Sequence, residues 1–471
     1  MKNLLKIKIG YVPAGIVGGV ILSLIIFCKV VGFPLLTPLL LLFLGIHLFL
    51  TKGADYRLFL HLGLLLALLV FTAHAFYSYT TISPYYIPVA SIAMLTMLLF
   101  NDLQLALMMS FVGSAIVSLM VGGDLNLMVI FFLGNLTAAY VVRDARTRGI
   151  MIGAGFYIGI MHVAGVVFLN PSAHFLVSKT FALDYMRPLV INGFLSAGVV
   201  MATLKIFEYL FGVVTNFSLL EVSDFNQPLL KKMILEAPGT YHHSLIVSNM
   251  SEAAADVIDA NALLTRVGAY YHDIGKMEKP EYFTENQIMG GNKHDNIEPS
   301  ISRLVILNHV KEGLKLAQKN KLNPGIAEFI SQHHGTSLMH YFYQKALEEA
   351  EDHDTIKEEN YRYPGPKPQT RETAIVLLAD SVEAATRSVD EPNIKKIEAV
   401  VRKIINNKFI DGQLDECNLT LKEIEIIATT FTRILGAMYH TRVKYPEKKN
   451  DTESRNPKSA ETDTSQSPPD N

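Results

Sequence analysis

Between residues 238 and 388 the chain carries five motifs rich in histidine and aspartate: PGTYHHS (238–244), YYHDIGK (270–276), LNHVKEG (307–313), SQHHGT (331–336) and LLADSVEAATRS (377–388). Nine of the 15 histidines in this 471-residue chain lie between His242 and His353. The apolar residues around them recur with a helical period, and no run alternates as a strand does. The motifs therefore predict an all-α region whose helices point polar side chains into one core.

The motifs fall on five predicted helices, starting near Thr240, near Ala262, at Pro299, at Asn323–Pro324 and near Arg371. Proline at the first helical position and asparagine at the cap are ordinary helix starts. Seven polar residues lie on the predicted inward faces or at the ends of these helices: His243, His272, Asp273, His309, His333, His334 and Asp380. His242 points about 100° away from its neighbour on a helix, so it is left out of the set.

Burying seven such side chains is costly unless they are paired or bind metal. A lone buried histidine is more often a hydrogen-bonded core residue, but the set as a whole favours a metal centre. Imidazole and carboxylate are ligands of divalent iron, manganese and zinc. Seven ligands exceed what one tetrahedral ion needs and suit two ions bridged by one carboxylate. Such a pair can activate water and stabilise both oxygens of a phosphodiester displacement.

The sequence resembles the HD phosphohydrolase superfamily, and more closely the cytoplasmic domain of bacterial seven-transmembrane HD proteins that hydrolyse cyclic di-AMP. The resemblance is carried by EAPGTYHHS (236–244), HDIGK (272–276), NHVKEG (308–313), HHGT (333–336) and above all YRYPGPKPQTRETAIVLLADSVEAATRS (361–388). It covers about residues 220–445 closely and the membrane half only by its number of spans. It implies an all-helical hydrolase domain with two divalent metal ions, iron or manganese, that converts cyclic di-AMP to 5′-pApA.

Carried over by position, the resemblance assigns His243, His272, Asp273 and Asp380 to one metal. It assigns Asp273, His309, His333 and His334 to the other, with Asp273 as the bridge. Asp273 and Lys276 would be the catalytic residues, with Lys276 near the scissile phosphate; a solvated helix end is the alternative account of that lysine. Arg387 and Tyr363 would contact the nucleotide.

Two alternatives to cyclic di-AMP hydrolysis remain open from the sequence. One is an HD hydrolase acting on another nucleotide, such as cyclic di-GMP or a nucleoside polyphosphate. The related cyclic di-GMP enzymes have a Gly-Tyr-Pro signature after the paired histidines, whereas Gly335, Thr336 and Ser337 follow them here, which favours the adenine dinucleotide. The other is a receptor whose HD domain is a nucleotide-responsive interaction module, although such a module has no need of all seven ligands.

The composition places the rest of the chain in a membrane. Half of the residues are hydrophobic, and the mean hydropathy is +0.26, which is too apolar for an ordinary soluble protein of this size. A net charge of -2 argues against binding a nucleic-acid polymer by bulk electrostatics. Cys28 and Cys417 offer neither a disulfide framework nor a cysteine metal site. The expected partners are a cyclic dinucleotide and the lipid bilayer, and the sequence leaves a homodimer open.

Eight apolar segments approach the length needed to cross a hydrocarbon core of about 30 Å. They lie at about 11–29, 34–50, 58–77, 85–100, 104–121, 126–142, 150–169 and 188–212. If each crosses once, three groups of basic residues fall on one side, which the positive-inside rule makes cytoplasmic. These groups are Lys2, Lys6 and Lys8; Lys52 and Arg57; and Arg143, Arg146 and Arg148. An even number of crossings then places the N-terminus and the hydrolase domain in the cytoplasm, on the inner face of the plasma membrane.

The expected organisation has five parts: a basic N-terminus (1–10), a membrane domain of about eight helices (11–212), a connecting helix or linker (213–237), the HD phosphohydrolase domain (238–444) and a disordered polar tail (445–471). Lys205 and Glu208, three residues apart near the end of the last span, are expected to pair. One departure from the family matters: its familiar members carry a large extracellular domain after the first span, whereas about four residues separate the first two spans here.

Overall fold

The computed structural model describes residues 36–439, apart from positions 54, 171, 173–175, 177, 288–291 and 352. The predicted N-terminus, first span and polar tail lie outside the described residues. The predicted all-α architecture is confirmed, because the described residues form helices and contain no strand, only one isolated bridge between Leu338 and Arg362.

Seven helices occupy the positions of the remaining seven apolar segments. They are α1 (Leu36–Lys52), α2 (Tyr56–Tyr79), α3 (Ala90–Phe100), α4 (Leu103–Met120), α5 (Leu125–Val142), α6 (Arg148–Leu169) and α7 (Arg187–Phe211). Five of these helices are long and apolar enough to cross a membrane: α2, α4, α5, α6 and α7, where α7 is counted from Phe181. Two apolar segments are shorter, α1 and Pro84–Phe100.

The α3 segment is shorter than the predicted 85–100 span. Only its last 11 residues are α-helical, after a 3-10 turn at Pro84–Tyr86. Pro88 explains the late start, because proline lacks the backbone N–H and disfavours helix at the residue before it. At about 1.5 Å per residue, α3 is roughly 16 Å long. Its side chains from Ala90 to Leu99 are all buried, so the other helices enclose it.

The segment expected to be a connecting helix or linker contains two short helices, α8 (Asn216–Val222) and α9 (Pro228–Glu236). The predicted Lys205–Glu208 pair is wrong. Lys205 instead pairs with Glu221 of α8 at 3.0 Å, and Glu208 accepts a hydrogen bond from Thr215, which caps α8. Both side chains of α7 thus reach forward to the linker.

The described residues after Glu236, which we call the soluble half, form eight further α-helices. These are α10 (Pro238–Val257), α11 (Ala262–Tyr271), α12 (Pro299–Lys319), α13 (Pro324–Gln332), α14 (His340–Glu349), α15 (Arg371–Arg387), α16 (Ile394–Ile410) and α17 (Leu421–Tyr439). The starts predicted at Pro299 and Pro324 are confirmed. Thr240 does not cap α10, because that helix begins two residues earlier at Pro238. Its hydroxyl instead donates to Glu285.

α15 forms the centre of the soluble half. Its residues from Thr373 to Asp380 are all buried, and its apolar side chains share one core with α10, α16 and α17 through residues such as Val247, Val401 and Phe431. A second core joins α8, α9, α11 and α13 through Leu219, Leu230, Val267 and Ile330. These two cores pack together the helices that carry the predicted ligands, including α12 through Ala317.

Candidate metal centre

Asp273 lies at the centre of the polar cluster, immediately after α11, and each of its carboxylate oxygens faces a different pair of histidines. Oδ2 is 3.1 Å from Nε2 of His272 and 3.5 Å from Nε2 of His243. Oδ1 is 3.4 Å from Nε2 of His309 and 3.5 Å from Nε2 of His333. A carboxylate with this arrangement can bridge two ions.

Asp380 is the second carboxylate of the cluster, projecting from the buried face of α15. Its Oδ1 is 3.1 Å from Nε2 of His243, and its Oδ2 is 3.6 Å from Nδ1 of His334. The seven predicted ligands therefore come together in two overlapping groups, and within each group the ligand atoms lie within 4.8 Å of one another. The groups are His243, His272, Asp273 and Asp380, and Asp273, His309, His333 and His334.

Four of the histidine rings are oriented by hydrogen bonds at Nδ1, which leave Nε2 facing the cluster. Nδ1 of His272 bonds to the Ala269 carbonyl at 2.7 Å, and that of His309 to the Ile306 carbonyl. Nδ1 of His333 is 3.0 Å from two carbonyls of its own helix, and Nδ1 of His243 is 2.7 Å from Glu383. This is the support that metal-binding histidines have in known sites, because it fixes both the tautomer and the ring orientation.

Buried polar atoms without a hydrogen-bond partner indicate what the cluster is built to hold. Nε2 of His243, Nε2 of His272 and both carboxylate oxygens of Asp273 are buried and make no hydrogen bond. Such atoms are costly in a protein interior unless something else satisfies them. They are nitrogen and oxygen donors of the kinds that divalent metals bind. The residues present therefore fit a pair of divalent metal ions.

The electrostatics of the cluster favour neutral imidazoles at His309 and His334 beside ionised carboxylates. Burial lowers the pKa of His309 to about 4 and, together with the nearby His333, lowers that of His334 well below its usual value. Burial alone would raise the pKa of Asp273, but Lys276 and His272 outweigh it and hold that pKa well below the usual range. At His309, His334 and Asp273 the atoms that would bind a metal are therefore already deprotonated.

Lys276 is held at the edge of the cluster by two carboxylates. Its Nζ is 2.7 Å from Oδ2 of Asp273, an ion pair without hydrogen-bond geometry, and it donates to Glu285 at 2.8 Å. Burial opposes the charge, but these two carboxylates raise the pKa of Lys276. The lysine is therefore an anchored cation rather than the end of a solvated helix.

The two predicted nucleotide contacts lie beside the cluster. Arg387 bonds to Glu383, with Nη2–O distances of 2.6 and 2.9 Å, and approaches Nδ1 of His243 at 3.3 Å. It thereby supports the ligand His243 through Glu383. The ring of Tyr363 stacks on the His334 ring, with 4.2 Å between centroids and 26° between planes. Tyr363 therefore forms one wall of the approach to His334.

Sequence reasoning missed Glu383 and Glu285. Glu383 follows Asp380 by three residues, so helical spacing alone places both on one face of α15 and could have found it. Glu285 comes from a 3-10 turn, Thr284–Asn286, that packs against the start of α10. A turn of this kind leaves no periodic signal in the sequence.

Comparison with known proteins agrees with this geometry. The profile of the HD domain family matches residues 240–385, the part of the chain that carries the cluster. The profile of a family described as "7TM receptor with intracellular HD hydrolase" matches residues 31–215, the range of α1 to α7. Fold and site thus define a multi-pass membrane protein with a helical, histidine- and aspartate-rich HD domain. The chain belongs to the family of seven-transmembrane proteins that carry such a domain.

Two curated relatives extend over most of the chain. The cyclic-di-AMP phosphodiesterase PgpH of Listeria monocytogenes is 40% identical over 366 residues, covering 77% of this chain and 50% of that protein. The protein of the same name from Bacillus subtilis is 39% identical over 369 residues, covering 77% and 51%. The chain therefore spans about half the length of the curated relatives it matches.

The crystal structure of the Listeria monocytogenes PgpH HD domain in complex with cyclic di-AMP is 50% identical in sequence to the matched part of the chain. The match covers 46% of this chain and 100% of that one, with a TM-score of 0.44.

Proposed function

We propose that the chain is a membrane-anchored, metal-dependent phosphodiesterase that hydrolyses cyclic di-AMP to 5′-pApA. The observation that carries the proposal is the pair of ligand groups sharing Asp273, with buried donor atoms that nothing in the described residues satisfies. A pair of divalent ions is the arrangement used for in-line displacement at a phosphodiester. The choice of nucleotide is supported by the name of the two relatives, cyclic-di-AMP phosphodiesterase.

In this proposal, His243, His272 and Asp380 would hold one ion and His309, His333 and His334 would hold the other, with Asp273 common to both groups. The ions, expected to be iron or manganese, supply charge to the scissile phosphate and lower the pKa of a water molecule when bound. Glu383 fixes the tautomer of His243 so that its Nε2 lone pair faces the site.

The remaining steps are assigned to the protein's own side chains. A water oxygen forms a bond to phosphorus while the bond from phosphorus to the ribose 3′ oxygen breaks, and one proton passes to that oxygen. Lys276, a buried ammonium beside Asp273, stabilises the negative charge that develops on the phosphate and the leaving oxygen. Tyr363, stacked on His334, provides an aromatic face for the nucleotide.

We also propose that the N-terminus and the HD domain lie in the cytoplasm, as the basic residues predict. The turn between α1 and α2 lies near the end of α7, because the His61 ring on α2 stacks on Phe211 at 4.1 Å. Ala145, between α5 and α6, packs in the same cluster as Phe207 of α7. The basic residues of both turns thus lie at the end of the bundle from which the soluble half continues, and positive residues favour the cytoplasmic face.

A homodimer, if formed, would bury the exposed Phe409 and Ile410 of α16.

The test compares two neighbouring histidines in the full-length protein, purified in detergent with Mn²⁺. His243→Ala is expected to reduce cyclic di-AMP hydrolysis at least a hundredfold, because it removes a ligand and the 3.1 Å contact of that ligand with Asp380. His242→Ala is the matched control, since that side chain is exposed and faces away from the cluster. Equal activity of the two variants would contradict the site assignment.

The same preparation separates the alternative functions. Faster turnover of cyclic di-GMP or of a nucleoside polyphosphate than of cyclic di-AMP would contradict the proposed substrate. Tight binding of cyclic di-AMP to the metal-loaded wild-type protein without any turnover would instead support the interaction module.

A further inference from the structure

Three cations near the metal cluster are already neutralised by carboxylates. Lys276 contacts Asp273 and Glu285, and Arg387 contacts Glu383. Arg362 contacts Glu358 and Asp411, with bidentate bonds to the latter at 2.8 and 3.2 Å. Each of these three side chains has a fixed carboxylate partner, so its charge is balanced by the described residues themselves.

Lys408 differs from these cations. It lies near the end of α16, is partly buried, and makes no ion pair with any described residue. Its Nζ donates to the hydroxyl of Ser337 at 2.6 Å, and Ser337 is only 4% exposed. Burial lowers the pKa of Lys408, and the carboxylate whose charge opposes this most is Asp380, ahead of Asp411. A cation in this environment has lost water without gaining a counter-ion, a costly state unless an anion joins it.

Ser337 connects this ammonium to the part of the chain that carries the metal ligands. It follows His334 by three residues, in the turn that leaves α13. Its carbonyl accepts a hydrogen bond from the backbone N–H of Tyr363 at 3.0 Å, and the Tyr363 ring stacks on His334. The hydroxyl that holds Lys408 and the aromatic face beside the cluster therefore belong to the same short stretch of hydrogen-bonded backbone.

We propose that Lys408 binds the second phosphodiester of a cyclic dinucleotide, the one that is not cleaved. The inference rests on the proposed function, because it requires a substrate with two phosphates. A cyclic dinucleotide carries two phosphodiester anions in one ring, and only one of them can occupy the metal centre. The second phosphodiester brings a negative charge to the surroundings of the metal centre. There Lys408 lacks a counter-ion, and its hydrogen bond to Ser337 holds the ammonium in place. Lys408 thereby distinguishes a cyclic dinucleotide from a simple phosphodiester.

The test compares two substrates on the full-length, metal-loaded protein: cyclic di-AMP, with two phosphates, and bis(p-nitrophenyl) phosphate, with one. Lys408→Met is expected to lower kcat/KM for cyclic di-AMP about ten- to one-hundred-fold, mainly through KM, because a charge-assisted hydrogen bond is lost. Its effect on the single diester is expected to be at least tenfold smaller. Lys408→Arg, which keeps the charge, should recover part of the loss.

Lys403→Met is the matched control, because Lys403 is an exposed lysine on the same helix, and it should behave as wild type with both substrates. Ser337→Ala provides a second variant that keeps the charge but removes its anchor, and a three- to tenfold rise in KM for cyclic di-AMP is expected. Equal losses on the two substrates, or no loss on cyclic di-AMP, would overturn the role of Lys408 alone. Wild-type turnover of the single diester without turnover of any cyclic dinucleotide would overturn the proposed substrate and this role together.

Discussion

Glu383 offers a sharp test of how the metal centre is built, because it supports a ligand without being one. Its side chain is 3% exposed, and its Oε2 lies 2.7 Å from Nδ1 of His243. In Glu383→Gln the amide oxygen can still accept from Nδ1, but its charge is gone and Arg387 loses its ion-pair partner. Loss of such supporting partners typically costs ten- to one-hundred-fold in metal affinity, or about 1.4–2.7 kcal/mol. We expect the lower half of that range.

The pH dependence of metal binding should change as well. In the metal-free protein, burial opposes the imidazolium of His243, but the nearby carboxylates of Asp380 and Glu383 outweigh burial and raise its pKa to about 9. Below that pH a proton must leave Nε2 before metal can bind, so wild-type affinity should rise about tenfold per pH unit from pH 7 towards 9 and then level off. Removing the Glu383 charge lowers the His243 pKa, so the variant's affinity should level off at a lower pH.

The assay is a Mn²⁺ titration of the full-length protein against a competing chelator, repeated across this pH range. Above pH 9 His243 is deprotonated in both proteins, so protons no longer compete with Mn²⁺ there. The difference in Mn²⁺ affinity above pH 9 therefore measures only the lost support of His243 by Glu383. The exposed Glu348, changed to Gln, is the control for a lost surface charge. If Glu383→Gln bound Mn²⁺ with the affinity and pH profile of wild type, the argument that Glu383 orients His243 would be wrong.

Three further perturbations test the same architecture. Gly275→Ala should abolish metal binding or folding, since the new Cβ would lie 1.8 Å from the His309 carbonyl oxygen and 2.5 Å from the Gly313 nitrogen; thermal melts and metal content report it. Tyr271→Phe removes the donor to the Val222 carbonyl at 2.7 Å and should destabilise the soluble half by about 1–3 kcal/mol in urea melts. Chelation should lower Tm, and Mn²⁺ at about 100 times its Kd should restore roughly 2.7 kcal/mol; an unchanged Tm would argue against a bound metal.

The sequence predicts those parts of the site that follow from helical spacing. Pro299 and Asn323–Pro324 mark helix starts by their own backbone chemistry, and from those starts the period of the helix carries His309 and His333 inward. Glu285 and Lys408 could not be placed in this way. Glu285 lies on a 3-10 turn, and Lys408 lies on α16, 28 residues beyond Asp380 in the sequence. Their positions relative to the cluster therefore depend on tertiary packing. The shortened α3 was foreseeable, because Pro88 interrupts its apolar run.

The linker contacts explain how the membrane half could influence this chemistry. Asn323, which caps α13, donates to the Val213 carbonyl at 3.0 Å, directly after α7. Tyr271, adjacent to His272, donates to the carbonyl of Val222 at the end of α8. The bond of Asn323 thus holds the start of α13, the helix that leads into His333. The bond of Tyr271 holds the residue that precedes the ligand His272. A displacement at the end of α7 must therefore either strain these two bonds or move α11 and α13. Movement of α11 and α13 would change the distances between the two ligand groups that share Asp273.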